Sequence, residues 1–374
     1  MNDIIIRTEA LSVGYDKTVI VDGIEFAVRA GQILTLVGPN GSGKSTLLKT
    51  LTKQLSILSG TVYLGEESMG KMKESEIAKK VSILMTERVR PELMTCMDIV
   101  STGRYPYTGR LGILSENDWK AVEDAMKLVQ VWDLKDRPFA NISDGQSQRI
   151  MLARAICQEP ELLIMDEPTS FLDISHKLEL LSILKGLVKQ KNLAVILSLH
   201  ELDLTQKIAD TVLCINHGKV EKAGPPEEIF KGDYIRELYN IRNGDYLEEF
   251  GSIEFSYVEG EPEILVIGGG GKGIPVYRKL QKLGIPFAAG ILHENDLDYP
   301  VARVLAQKVI TTRGFEPISD EALEQGLEMV RKLKGTICVP ESFGTMNKKN
   351  EYLRVLASQE GKLFSSVEEY MSQR

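Results

Sequence analysis

Residues 33–52, ILTLVGPNGSGKSTLLKTLT, restrict this chain more than any other stretch. An apolar run, Ile33–Val37, reads as a buried strand that breaks into a turn of glycine, proline and asparagine. A helical pattern follows over 46–51. Between the two, GPNGSGKST places Gly38, Gly43, Lys44 and Ser45 at the spacing G-x-x-x-x-G-K-[ST], with Pro39, Asn40, Gly41, Ser42 and Thr46 completing the run. The residue types dictate the chemistry. Gly41 and Gly43 let the backbone curl with its N–H groups pointing inward, where a side chain would otherwise obstruct a phosphate. The helix N-terminus adds roughly half a positive charge facing the same anion. Lys44 is placed to neutralise β- and γ-phosphates, and the Ser45 hydroxyl to ligate Mg²⁺. Strand, glycine turn and helix in this order predict a site for a nucleoside triphosphate with Mg²⁺.

A length of 374 residues predicts two or three domains with at least one large core. Hydrophobic residues at 43% and charged ones at 26% describe an ordinary globular chain. The formal net charge of −8 argues against a nucleic-acid partner, which calls for a basic face. Cys96, Cys157, Cys214 and Cys338 show no C-x-x-C pairing, so free thiols in a reducing compartment are expected rather than disulfides or a metal site. The opening MNDIIIRTEA lacks the pattern of a secretory signal, and no apolar run approaches the roughly 20 residues of a membrane helix. Work at a membrane would therefore pass through a partner.

Taken in order, residues 4–30 alternate like a β meander, with Tyr15 beside a turn where an aromatic ring could stack on adenine. SGTVYLG reads as a short strand, and EESMGKMKESEIAKK as a charged helix leading into a strand over 81–85. Residues 96–135 differ in kind. CMDIVSTGRYPYTGRLG precedes a helix with Trp119, Val122, Met126 and Val129 at helical spacing, which predicts a helical insertion over about 88–158. NISDGQSQR then opens a helix, ELLIMDEP ends a buried strand on two acids, and HKLELLSILKGLVKQ places Leu178, Leu181, Leu184 and Val188 on one stripe. LAVILSLH is a third buried strand, ending on His200. Apolar strands alternating with helices predict a parallel sheet covered on both faces.

Asp166 and Glu167 close the strand Leu162–Met165. An Asp there can hold Mg²⁺, and a carboxylate directly after it can polarise an attacking water. His200, at another strand end, is a candidate for sensing the γ-phosphate. Together with Tyr15, GPNGSGKST, ISDGQ at 142–146, LLIMDEP and SFLD at 170–173, these residues make the chain resemble the ATP-binding cassette (ABC) ATPases over roughly residues 3–240. The resemblance implies a P-loop NTPase cassette with a β subdomain, an α/β core and a helical insertion. It implies a head-to-tail dimer in which Ser143, Gly145 and Gln146 of one copy contact the γ-phosphate held by the other, with Asp173 from the SFLD turn at the same interface. Closure on two ATP molecules and reopening after hydrolysis follow from it, with Lys44, Glu167 and His200 as catalytic groups and Ser45 and Asp166 as metal ligands.

Two positions depart from the family pattern. Asp144 replaces a glycine of the usual LSGGQ, which puts a carboxylate near the partner's triphosphate. Where the family carries a glutamine after the strand at 81–85, this chain has Thr86 with Glu87 beside it, either of which could be a metal ligand. TGRYPYTGRLG at 102–112 and the tail NHGKVEKAGPPEEIF resemble ATPases that drive import of iron–siderophores, haem and vitamin B12. That resemblance implies a separate permease gripped by the helical insertion, a substrate-binding protein beyond it, and a place at the cytoplasmic face of the membrane. A soluble ABC ATPase, a regulatory one and an exporter cassette are the other readings; the first usually carries a long coiled coil or two cassettes, and exporters often fuse a membrane domain.

The first domain is expected to span 1–250 and the second 255–374. In the latter, ILVIGGGGKGIPVYRKL satisfies G-x-G-x-x-G at Gly268, Gly270 and Gly273, with Pro275 suiting a first helical turn. This predicts a small Rossmann-like α/β domain, in which Glu294 or Asp296 could reach a ribose. A lone glycine fingerprint equally fits a regulatory or interaction domain that binds no nucleotide.

Overall fold

The structure is a computed structural model describing residues 3–85, 91–109 and 112–373, and it forms two compact units, Met1–Tyr234 and Ile235–Arg374.

The first unit is built on β1 (Ile4–Tyr15), β2 (Thr18–Arg29), β3 (Ile33–Val37), β4 (Ser59–Leu64), β5 (Glu67–Ser68), β6 (Val81–Leu84), β7 (Leu162–Met165), β8 (Ala194–Ser198), β9 (Thr211–Asn216) and β10 (Lys219–Gly224). They form one sheet in the order β5-β4-β1-β2-β10-β9-β3-β8-β7-β6. Every residue of β3, β7 and β8 is buried, which is why ILTLV, LLIM and AVILS are continuous apolar runs rather than alternating ones. Strands β6, β7, β8, β3 and β9 are parallel neighbours, while β1, β2 and β4 pair antiparallel and carry the sheet outward. The parallel register brings the C-terminal ends of β3, β7 and β8 to one edge.

Helices α1 (Lys44–Leu51) and α2 (Glu74–Lys80) precede the helical region of α3 (Cys96–Ser101), α4 (Glu116–Leu128) and α5 (Asp144–Cys157). Val122, Met126 and Val129 are buried there with Phe139 and Ile150, but Trp119 is 43% exposed, so the fourth member of the expected stripe faces outward. In α6 (Ile174–Lys191) the buried face is Leu180, Leu181, Leu184, Leu187 and Val188; Leu178 lies off it, 51% exposed. Helix α7 (Leu202–Ile208) follows β8; α8 (Pro226–Ile229) and α9 (Gly232–Leu238) follow β10.

The second unit begins earlier than expected. The hairpin β11 (Gly244–Leu247) and β12 (Ser252–Phe255) buries Leu247 in that unit's own core, so the division falls at 234/235 rather than near 255. Strands β13 (Ile264–Ile267), β14 (Phe287–His293), β15 (Lys308–Thr312), β16 (Gly335–Cys338) and β17 (Leu363–Phe364) form a wholly parallel sheet, order β15-β14-β13-β16-β17. Ile264 and Val266 face a core with α10 (Ile274–Lys282), α11 (Asp298–Leu305) and α14 (Val367–Gln373). Leu265 and Ile267, one pleat apart, face α12 (Asp320–Lys332) and α13 (Asn350–Gln359). Helices on both faces of a parallel sheet make it the Rossmann-like domain expected. Among the described residues no helix is long and apolar enough to cross a membrane.

Candidate functional site

The turn after β3 needs glycine for reasons visible in the packing. Gly38 has φ 149° and a Cβ there would lie 2.1 Å from the Ile215 carbonyl oxygen; Gly43 has φ 104° and its Cβ would lie 2.3 Å from Val21 Cγ2. Helix α1 starts at Lys44 without a side-chain cap and with no acid in its first turn. The orphan N–H groups of that turn are thus left to an anion. Buried Lys44 donates from Nζ to the Gly38 and Pro39 carbonyls at 2.7 and 3.0 Å. Burial pulls its pKa below the usual lysine value, opposed by the Glu167 and Asp166 carboxylates.

Strand β7 delivers the acids. Asp166 Oδ1 accepts from Ser198 Oγ at 2.7 Å and from Ser45 Oγ at 3.2 Å, tying the strand ends of β7 and β8 to the start of α1. Glu167 adopts a left-handed φ of 47°, and its N–H donates to Ser198 Oγ at 2.9 Å. Its carboxylate is gripped from two sides, by Ser170 Oγ at 3.1 Å and by His200 Nε2 at 2.5 Å. His200 stands two residues past the end of β8. Tyr15, Ile20, Asn40 through Thr46, Glu167 and His200 line a cavity of about 520 Å³. Ser42 Oγ is buried in this loop without a hydrogen-bond partner among the described residues. A curled, uncapped loop, a lysine and an orphaned hydroxyl fit a triphosphate, and the Ser45–Asp166 pair is an oxygen donor set that suits Mg²⁺.

The signature residues lie apart from this cavity within the chain. Ser143 caps α5: its Oγ accepts from the Gln146 N–H at 3.3 Å, and Gln146 Oε1 accepts from the Ser143 N–H at 3.1 Å. Gly145 packs against α6, where a Cβ would lie 2.5 Å from His176 Cδ2. That histidine, which sequence reasoning did not single out, bonds through Nδ1 to Asp173 Oδ1 at 2.9 Å, while Asp173 also caps α6. These bonds from His176 hold the Asp173 carboxyl below its usual range. Ser198 and Ser170 were likewise missed. A serine inside or just beyond an apolar strand gives no sequence signal until the neighbouring strand end is known. Thr86 and Glu87 lie outside the described residues.

The GRYPY segment is an internal brace as much as a surface. Arg104 is buried, its Nε 2.8 Å from Asp118 Oδ1 and its Nη1 2.8 Å from the Cys157 carbonyl and 2.7 Å from Glu159 Oε2. A Cβ on Gly103 would strike the Arg154 carbonyl at 2.3 Å. Tyr105, 61% exposed, and Tyr107, 37% exposed, point outward in the way contact residues would. Beside this segment a second cavity, of about 580 Å³, opens between α2 and β6 on one side and α5 on the other.

In the second unit the glycine loop is already occupied by the chain's own acids. Asp298, at the start of α11, accepts from the N–H groups of Gly269, Gly273 (2.9 Å) and Ile274 (3.2 Å). Asp296 accepts from Gly270 N at 2.9 Å. Asp296 therefore closes the loop instead of reaching a ribose, and Glu294 makes its backbone bond to Thr312 in β15. The donors that would meet a pyrophosphate are spent, so a dinucleotide does not fit here.

Comparison with known proteins decides the family. The chain is 43% identical to an ABC transporter ATP-binding protein of Methanocaldococcus jannaschii, MJ0873, over 74% of this chain and 96% of that one. This chain is an ABC transporter ATP-binding protein. An ABC transporter family model matches residues 21–170, and a second, the MJ0874 family, matches 287–374. The iron(3+)-hydroxamate import ATP-binding protein FhuC of Bacillus subtilis is 34% identical over 63% of this chain and 88% of its own. A cobalamin import ATP-binding protein, BtuD, of Halobacterium salinarum is 28% identical over 83% of this chain and 79% of its own. Among solved structures, the inward-facing conformation of a putative metal-chelate type ABC transporter superposes with a TM-score of 0.56 at 26% identity, covering 63% of this chain and 88% of that one. The ABC cassette binds and hydrolyses ATP.

Proposed function

We propose that this ABC cassette energises an importer of metal chelates, of the class that takes in iron–siderophores, haem or cobalamin. The observation that carries the reading is the identity of the relatives: those matching the cassette are named for siderophore import, and the one named for cobalamin import matches 83% of the chain. A match of that extent necessarily runs into the second unit, which begins at Ile235. Cobalamin is accordingly the first cargo to test.

The mechanism follows from the residues. Lys44 and the uncapped first turn of α1 bind the triphosphate, and Ser45 with Asp166 would hold Mg²⁺, which when bound supplies charge neutralisation of the phosphates. Glu167, oriented by Ser170 and His200, takes the proton of the attacking water. Ser143, Gly145 and Gln146 do not line their own chain's cavity, which supports their serving a second copy in a head-to-tail dimer. The cavity beside α5 is the seat of a cytoplasmic segment of the permease, which would hold the chain at the inner face of the membrane. Substrate choice belongs to that permease and its binding protein.

The test is to purify the tagged chain from its own membranes in mild detergent and to record a visible spectrum after adding cobalamin, haem or an iron chelate with the binding protein. A many-spanning partner carrying one of these chromophores is the expected result. Recovery with soluble partners alone removes the importer reading and favours a soluble or regulatory ATPase.

A further inference from the structure

The cavity beside α5 holds a positive charge that no described group neutralises. The Arg154 guanidinium lines it, with its Nε donating to Thr102 Oγ1 at 2.9 Å. The other two arginines around this helix are answered. Arg104 pairs with Asp118 and Glu159, and Arg149, more than one turn earlier in α5, pairs with Glu179. Among the described residues none forms an ion pair with Arg154. Burial lowers its pKa from the ordinary arginine value. Ile77, Ile83 and Met151 give it apolar wall, and Thr52, Gln54 and Gln158 give it polar wall. Lys53 and Glu74 also line the space, so among the described residues its charged groups are two cations and one carboxylate.

A half-buried guanidinium without a partner is costly, and what answers it best is a planar carboxylate that its fork can grip with two bonds. A wall of mixed polarity, whose described residues carry two cations and one carboxylate, suits an amphipathic segment bearing an acid. We propose that the permease segment seated in this cavity presents an Asp or Glu side chain to Arg154. The proposal rests on the importer reading and adds to it the chemistry of the partner's contact residue. A lipid headgroup offers the same charge, but it would bring no folded apolar face to cover Ile77, Ile83 and Met151. The acid would also give the contact direction, because the segment can enter only with its carboxylate toward α5.

The test uses the full chain in its own membranes. An Arg154→Lys variant places an amine where the guanidinium stands, and carbodiimide joins an amine to a carboxylate only where the two touch. Mass spectrometry then maps the joined residues. The expected product links position 154 to an Asp or Glu in a cytoplasmic loop of a many-spanning membrane protein, and the same link is missing from the unsubstituted chain. A link only to Glu74 of the chain itself, to a phospholipid phosphate, or to nothing overturns the proposal. A second variant carrying a photo-crosslinking amino acid at Gln54, on the same cavity, reports whether the permease sits there at all. Gln54 linked to a membrane protein while position 154 is not would sink the carboxylate contact and leave the importer reading standing; neither position linked would sink both. An Arg154→Met variant, which keeps an unbranched apolar stem and removes the charge, is expected to bind those membranes on the order of 30-fold more weakly, as loss of a buried interfacial charge pair does.

Discussion

Glu167 occupies a backbone conformation that side chains ordinarily avoid, and four neighbours keep it there. Its φ of 47° costs conformational energy, which persists only where the surroundings over-determine it. Here the Ser198 hydroxyl holds its N–H while Ser170 and His200 hold its carboxylate, and Asp166 accepts from the same Ser198. The result is a carboxylate aimed into the nucleotide cavity with little freedom to turn away. Glu167→Gln preserves shape and removes the base. It is expected to retain ATP binding while phosphate release slows by about 10²–10⁴-fold, the usual worth of a general base. A rate within a few-fold of the parent in a phosphate-release assay would take Glu167 out of that role. That an acid follows Asp166 at a strand end was legible in LLIMDEP. The serines that orient it were not, because their contact depends on β7 and β8 lying side by side.

The element strand–glycine turn–helix occurs twice, as β3 to α1 and as β13 to α10, and the two copies do opposite things. In the first, Lys44 and an uncapped turn face a cavity. In the second, the acids Asp296 and Asp298 arrive from the start of α11 and take up the loop's N–H groups. Asp298 stands in the place a phosphate would take. Its carboxyl pKa is nevertheless raised above the ordinary 3.8, because burial outweighs the three N–H donors and the nearby Asp296 adds to the rise. The sign follows from proton counting. Over the pH range from 3.8 up through the raised value, the folded form binds more protons than the unfolded form, so the contribution of Asp298 to stability falls as pH rises. Asp298→Asn keeps an accepting oxygen and should flatten this slope, as denaturant unfolding across that range would show; an unchanged slope assigns it to another group. Asp298→Ala, which strands several buried donors, should cost about 1–3 kcal/mol for each left unpaired.

At the scale of the molecule the two units divide the chemistry. All nucleotide contacts argued from the structure belong to the first, and in the second the glycine-loop N–H groups of Gly269, Gly270, Gly273 and Ile274 are taken by Asp296 and Asp298. Binding should saturate at one ATP per chain. Lys44→Ala should abolish it, since among the described residues lining that cavity the lysine is the one lysine or arginine. Equilibrium dialysis with ATP and with NAD decides the matter. Residual binding of either by the Lys44→Ala chain would show that the second unit takes nucleotide after all. The stretch 235–255 shows why the expected boundary fell late. Its charged, irregular sequence reads as a linker, yet one residue of it, Leu247, is fully buried in the second core and assigns the hairpin there.

What the sequence determined by itself was the chemistry that spacing along the chain carries: the phosphate loop, the paired acids at a strand end, the signature cap and the alternation of apolar strands with helices. Each depends on residues close together in the chain, where local geometry follows from residue type. What only the tertiary structure decided lies between residues far apart in it. Asp298 filling a glycine loop 25 residues earlier is one case. His176 lying against Gly145 is another, and Arg104 drawn inward by Asp118 and Glu159 out of a motif that looked like surface is a third. Arg154 lining a cavity with no ion pair to a described acid is a fourth. The physical reason is common to all four: whether a donor or a charge is satisfied depends on what packing brings to it, and composition and periodicity do not encode that.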